Sequence, residues 1–161
     1  MPSEMALIEA AIPALQRYAG ALRRNRQDVD DLVHDCLVQA LDRVHTRRTD
    51  ASMRAWLFAI MHNLYVSRFR RKQARMEETG LHDAAELPLA VPPRQKDQVQ
   101  VGDVMTTIQC LSADFRAVLL LIAIEDLFYA EVAEVLGIPI GTVMSRLARA
   151  RESVRRDCET P

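Results

Sequence analysis

Residues 129–151 read YAEVAEVLGIPIGTVMSRLARAR. The spacing predicts a helix, a tight turn and a second helix whose open face is arginine. Ala133 lies four residues before Gly137, and Val143 lies six after it. A helix-turn-helix needs that layout: a small residue where the helices cross, a glycine at the turn, and an apolar residue to seat the second helix on the first. Gly137 suits the left-handed conformation that ends a helix. Pro139 cannot continue the first helix and fits the start of the second. The second helix is expected to bury Val143, Leu147, Ala150 and Val154 and to expose Ser145, Arg146, Arg149 and Arg151. Arginines on the open side of a short helix suit a DNA major groove. A solvated basic helix in an ordinary bundle would carry the same charges, but it would not need the Ala-Gly-Val spacing.

Outward from this segment the chain has 161 residues, 49% of them hydrophobic, with only 5 Gly and 7 Pro to interrupt helices. That is enough for one domain or two small ones, and the composition favours an all-helical protein. Cys36, Cys110 and Cys158 form no CxxC pair. A disulfide framework and a zinc site are not expected, and a reducing cytoplasm fits. No basic start precedes the apolar residues of MPSEMALIEAAIP, so no signal peptide is read. The longest apolar run, residues 117–124, is too short to span a bilayer. The net charge of −1 hides a strong asymmetry. Residues 51–76 carry Arg54, Arg68, Arg70, Arg71, Lys72 and Arg75 and no acid. Residues 135–151 carry Arg146, Arg149 and Arg151, again without acid. Residues 77–134 hold eleven acids against three bases. Two basic patches around an acidic middle suggest two contacts with one polyanion.

Helical periodicity places a first helix over about Glu4–Arg24, with Pro13 as a kink or a break near Ala11. A second helix carries the stripe Val29, Leu32, Val33, Cys36, Leu37, Ala40, Leu41, Val44 behind an Asp28 N-cap. Its other face shows Asp30, Asp31, His34, Asp35 and Asp42. Such a face is most often simply solvated; a docking surface for a basic partner is the alternative. After a loop at His45–Ser52, a helix from Met53 to about Ala74 is expected to bury Trp56, Leu57, Ile60 and Leu64. It then becomes a basic arm, Arg68 to Lys72, beside Tyr65 and Phe69. Arginines there would pair with phosphates and an aromatic face would stack on an unpaired base; core packing of both rings is the alternative. Residues 77–102, with Gly80, Pro88, Pro92, Pro93 and Gly102, read as a linker. The expected architecture is all-α: two small helical domains, 1–76 and 103–161, joined by a flexible linker, the second a helix-turn-helix domain. It opens with a helix near Asp103–Cys110, and Ser112 caps the next, Ala113–Glu125.

Three segments in order resemble the bacterial RNA polymerase sigma factors, in particular the small extracytoplasmic-function group. Asp30-Asp31-Leu32-Val33-His34-Asp35 is similar to that family's acidic DLVQE segment. Arg54-Ala55-Trp56-Leu57-Phe58-Ala59-Ile60 with Asn63 is similar to its RAWLFRIARN helix. Residues 141–151, GTVMSRLARAR, are similar to its recognition helix. The resemblance spans almost the whole chain. It implies a promoter-specificity subunit with core RNA polymerase and promoter DNA as partners, an anti-sigma factor as regulator, and no catalytic residue, metal or cofactor. Asp31, His34 and Asp35 match the polymerase-docking segment. Asn63, Arg68, Arg70, Arg71 and Lys72 match the region that contacts the melted −10 element. Thr142, Ser145, Arg146 and Arg149 match the −35 reader. There are two departures. His34 and Asp35 replace Gln and Glu, and Met144 stands where Lys or Arg is common, which leaves that contact open. An autonomous helix-turn-helix regulator is the competing reading, but it leaves the acidic helix, the Trp56 helix and the basic arm unexplained. A sigma-like adaptor that binds a partner but no promoter has only Met144 in its favour.

Overall fold

The computed structural model describes residues 1–23, 25–79 and 106–159, the side chains of 79, 158 and 159 excepted. The expected linker from residue 80 onward, the helix start at Asp103 and the Cys158 side chain lie outside the described residues.

Helix α1, Glu4–Leu22, starts where the Ser3 hydroxyl accepts the Ala6 amide at 3.2 Å. Pro13 neither breaks nor ends it. The proline sits on the exposed side, so the carbonyl it leaves unpaired, that of exposed Glu9, faces water rather than core. Helix α2, Arg26–Arg43, is capped by Asn25, whose side chain accepts the Gln27 amide at 2.8 Å. Asp28 is therefore in the first turn and not the cap. A short 3-10 turn, Val44–Thr46, follows. Helix α3, Met53–Thr79, is longer than its apolar pattern predicts. Its last turns, RKQARMEET, are good helix formers with no core to face.

These three helices pack on one another around Leu15, Tyr18, Leu32, Cys36, Leu57, Phe58 and Met61, all essentially without solvent exposure. Phe58 and Met61 carry the part of the core that the sequence assigns to Trp56, which is only half-buried. The Cys36 thiol donates to the Leu57 carbonyl at 3.5 Å, and burial pushes its pKa up to about 12. It is a packing residue, unsuited to redox chemistry at neutral pH.

In the second half, residues 106–110 are helical, and Ser112 caps α4, Ala113–Ala123, by accepting the Phe115 amide at 3.4 Å. Helix α5, Tyr129–Leu136, opens with the Phe128 amide donating to the Glu131 carboxylate at 2.8 Å. It ends at Gly137 with φ 66°, a backbone shape an L side chain would strain, and the Ile138 amide returns to the Ala133 carbonyl at 3.1 Å. Helix α6, Ile140–Glu159, begins as Pro139 offers its carbonyl to the amides of Thr142 and Val143. Val118, Leu121, Val132, Val143 and Ala150 are buried between α4, α5 and α6.

The halves also pack against each other. Helix α3 lies along α5 and α1 touches α4. Buried side chains of both halves form one continuous hydrophobic cluster.

Candidate nucleic-acid interface

The turn at Gly137 and the seat of α6 fix one candidate surface. Val143, Leu147 and Ala150 face inward, so helical geometry turns Ser145, Ala148 and Arg149 outward, and all three are exposed. The Ser145 hydroxyl donates to the Thr142 carbonyl at 3.2 Å, which fixes its direction along the helix. Thr142 is half-buried. Arg146 is not on the open edge: its side chain is 27% exposed and lies 3.9 Å from the Asp114 carboxylate on α4. Met144 and Ile140, one turn apart, add an exposed apolar strip beside the Arg149 edge.

The basic arm splits into two faces. Arg68, Arg71, Lys72 and Arg75 line one side of a concave pocket of about 410 Å³, together with Arg23 and Asp28. Arg70 points elsewhere, into a cleft of about 270 Å³ where α3 meets α4, beside His62, Phe69 and Asp114. The structure therefore gathers Arg68, Arg71 and Lys72 and separates Arg70 from them. It adds Arg23, which lies at the end of α1 and opens the basic run RRNR of residues 23–26, a signal that the charge pattern of the sequence offered. Asn63 is exposed one turn and more before the arm.

The Tyr65 ring is not available for a base. It is 5% exposed, and the Arg23 guanidinium covers its face at 5.2 Å. The expectation of stacking gives way at this residue to core packing. Phe69, 6.5 Å from Tyr65 and tilted, is half-buried. In the same seam burial lowers the His62 pKa below the ordinary imidazole range, with Asp114 opposing more weakly.

The acidic segment lies on the outer face of α2. Asp31 and His34 are exposed, and Asp31 accepts from the Gln27 side chain at 3.1 Å. Asp35 is bound to Arg68 in an ion pair that ties α2 to α3. One candidate docking carboxylate and one candidate DNA cation thus neutralise each other in the free chain.

Among the described residues the most enclosed carboxylate is one that the sequence pattern does not single out. Glu125, 1% exposed, follows α4 and is gripped from the other half of the molecule. Arg17 Nε and Nη2 meet its two oxygens at 3.2 and 3.1 Å, and Arg54 Nη2 meets Oε2 at 3.0 Å. The hydrogen bond and the charge of Glu125 raise the Arg17 pKa further above its ordinary range.

Residues 8–62 match the family described as the Sigma2 domain of PhyR, and residues 102–154 match Sigma-70, region 4. The chain is 30% identical over 147 residues to the ECF RNA polymerase sigma factor EcfG of Rhodopseudomonas palustris, covering 91% of this chain and 80% of that protein. Its fold is similar to the sigma factor RpoE of Bartonella quintana, solved with the anti-sigma factor NepR. That match has a TM-score of 0.78 at 28% identity, over 95% of this chain and 94% of that one. It is also similar to CnrH, solved with the cytosolic domain of CnrY, with a TM-score of 0.69 at 26% identity, over 98% of this chain and 89% of that one.

Proposed function

The chain belongs to the ECF RNA polymerase sigma factors, and from that premise we propose how its own residues direct core polymerase to promoters. The −35 element is read as duplex DNA by the α6 edge. Arg149 reaches base edges, with Ser145 and Thr142 beside it and Arg146 joining once it leaves Asp114. The −10 element is held as melted DNA by Asn63 and the arm. Arg71 and Lys72 take phosphates in the pocket they share with Arg23, Arg68 joining once it leaves Asp35, and Arg70 takes one on the other face. Asp31, His34 and Asp35 form the patch that docks on core polymerase. The observation that carries this reading is the pair of cationic readers on one chain. One is the open edge of a helix seated by Val143; the other is a pocket lined by Arg23, Arg68, Arg71, Lys72 and Arg75, with Asp28 in the lining and Asp35 paired to Arg68.

Two small readers bind DNA weakly when nothing fixes their separation, because each must be ordered separately. Core polymerase supplies that separation, so sequence reading and catalysis stay divided between subunits. Duplex recognition rests on groove-edge hydrogen bonds, and strand recognition on phosphate pairing with pocketed bases. The protein itself needs no catalytic group. We place the work in the cytoplasm, with core polymerase. No helix among the described residues is long and apolar enough to cross a membrane. An anti-sigma partner, as in the Bartonella quintana complex, is the expected regulator of this chain.

The docking assignment is tested at Asp31, the exposed carboxylate of the patch, which forms no ion pair to α3. Asp31→Lys is expected to weaken binding to core polymerase about tenfold, equivalent to ~1.4 kcal/mol, by placing like charge against a basic partner. Titration of labelled protein with core enzyme measures it. Unchanged affinity would remove α2 from the docking surface. Tight, sequence-specific duplex binding without polymerase would favour an autonomous regulator.

A further inference from the structure

The first turns of α6 carry a long apolar side chain that the promoter-reading account leaves unused. Met144 is 47% exposed and Ile140 45%. Met144 stands about 100° round the helix from buried Val143, and Ile140 only about 60°. Met144 is therefore the one turned further toward the open face. Gly141 and Ala148, about one turn before and one turn after it, border it on that face, and both are exposed. Neither carries more than a methyl. The space at Gly141 is open: a Cβ there would meet nothing within 4 Å. The backbone of α6 can thus approach a groove floor closely, with Met144 projecting between two small residues. Its polar neighbours are already engaged within the chain. Arg146 lies against Asp114, and the Ser145 hydroxyl donates to the Thr142 carbonyl.

Chemistry limits what Met144 can read. A thioether has no N–H or O–H to donate, and its sulfur accepts only weakly. It makes no ion pair with phosphate and no hydrogen bond to guanine O6 or N7. What it offers is apolar contact, from an unbranched chain that adapts to the shape it meets. In the major groove the base pairs present one apolar group, the C5-methyl of thymine. We propose that Met144 is a specificity-determining residue that selects a thymine in the −35 element by packing on that methyl. The inference rests on the reading of α6 as the −35 reader and adds the base that this position prefers. Met144 and Arg149 flank Ala148 and Ser145 on the two sides of the open face, so an inserted helix presents them to different base pairs. Arg149 supplies hydrogen bonds and Met144 supplies apolar contact. A cation at residue 144 would favour phosphate or guanine instead. Methionine there changes which base is preferred; it does not merely delete a contact.

Uracil-substituted templates test the assignment, because uracil keeps every hydrogen-bonding group of thymine and lacks only the C5-methyl. Synthetic promoters carrying a −35 element mapped by run-off are made with one thymine at a time replaced by uracil. Initiation by core polymerase with the full chain is then measured at limiting template. For the wild type, one position is expected to lose about fourfold, the factor equivalent to ~0.8 kcal/mol for one buried methyl group. Met144→Ala should lose at least that factor on the thymine template and be indifferent to uracil at the same position, so that the two losses do not compound. Met144→Leu, also apolar, should keep the uracil penalty. The side chain is exposed, so these substitutions leave the core intact. A uracil penalty at no position, or an equal penalty in the wild type and Met144→Ala, overturns the proposal. So does a Met144→Ala loss that is the same on every template and matched by weaker binding to core polymerase, which would make the strip a protein contact. If no thymine template is initiated, the sigma-factor reading falls and the proposal with it. Initiation that ignores the methyl overturns the proposal alone.

Discussion

Arg149→Ala is expected to lower run-off transcription from a −35-dependent promoter by roughly 5- to 150-fold, the range that a lost ~1–3 kcal/mol of base discrimination corresponds to. The expectation follows from the seat of α6. Val143, Leu147 and Ala150 are fixed in the core, so Arg149 has no choice of face and stands exposed opposite them. Among the described residues no ion pair engages its guanidinium, unlike that of Arg146. A planar guanidinium meets guanine with two hydrogen bonds, and an ammonium cannot reproduce that fork. Arg149→Lys should therefore restore phosphate attraction but little selectivity. Initiation on a template already melted across −10 and lacking a −35 element should change little. Equal activity of the alanine variant on every promoter would show that Arg149 reads no base.

Phe58→Ala is expected to destabilise the N-terminal half by about 3–5 kcal/mol, the usual range for removing a buried ring from a core. Phe58 is 1% exposed and meets Tyr18 edge to face, with centroids 5.3 Å apart at 80°. It thus joins α1 to α3 at the centre of the bundle. Domains are stable by only about 5–15 kcal/mol, so the loss is a large fraction of the total. The urea midpoint should fall by roughly 1–3 M, measured by circular dichroism. Trp56→Ala, at a half-buried position, should cost clearly less. A Trp56 effect as large as that of Phe58 would contradict the packing described above.

The parts of this molecule legible in the sequence are those whose cause is local. Gly137 and Pro139 announce the turn because backbone shape alone demands them there. The stripe on α2 announces its core face. Periodicity places the start of α2 too late because Asn25 caps a first turn that carries no apolar residue for it to detect. Helix α3 runs to Thr79 for the same reason at its other end. What the sequence could not show is long-range charge pairing. Glu125 lies 108 residues from Arg17 and 71 from Arg54. In the sequence it is only one acid in an acidic middle. That middle is more than a spacer between basic patches: Glu125 and Asp114 supply the counter-charges for Arg17, Arg54 and Arg146. Arg23 over Tyr65 is a similar case, since no local pattern tells a base-stacking ring from one already covered by a cation.

The central claim is that this chain gives core polymerase its promoter choice through two readers on opposite halves. Run-off transcription of genomic DNA by core polymerase, with and without the purified protein and with start sites mapped, tests it most directly. The account predicts new start sites that share one −10 and one −35 sequence at constant spacing, and that lose the −35 preference with Arg149→Ala. Start sites identical with and without the protein would contradict it.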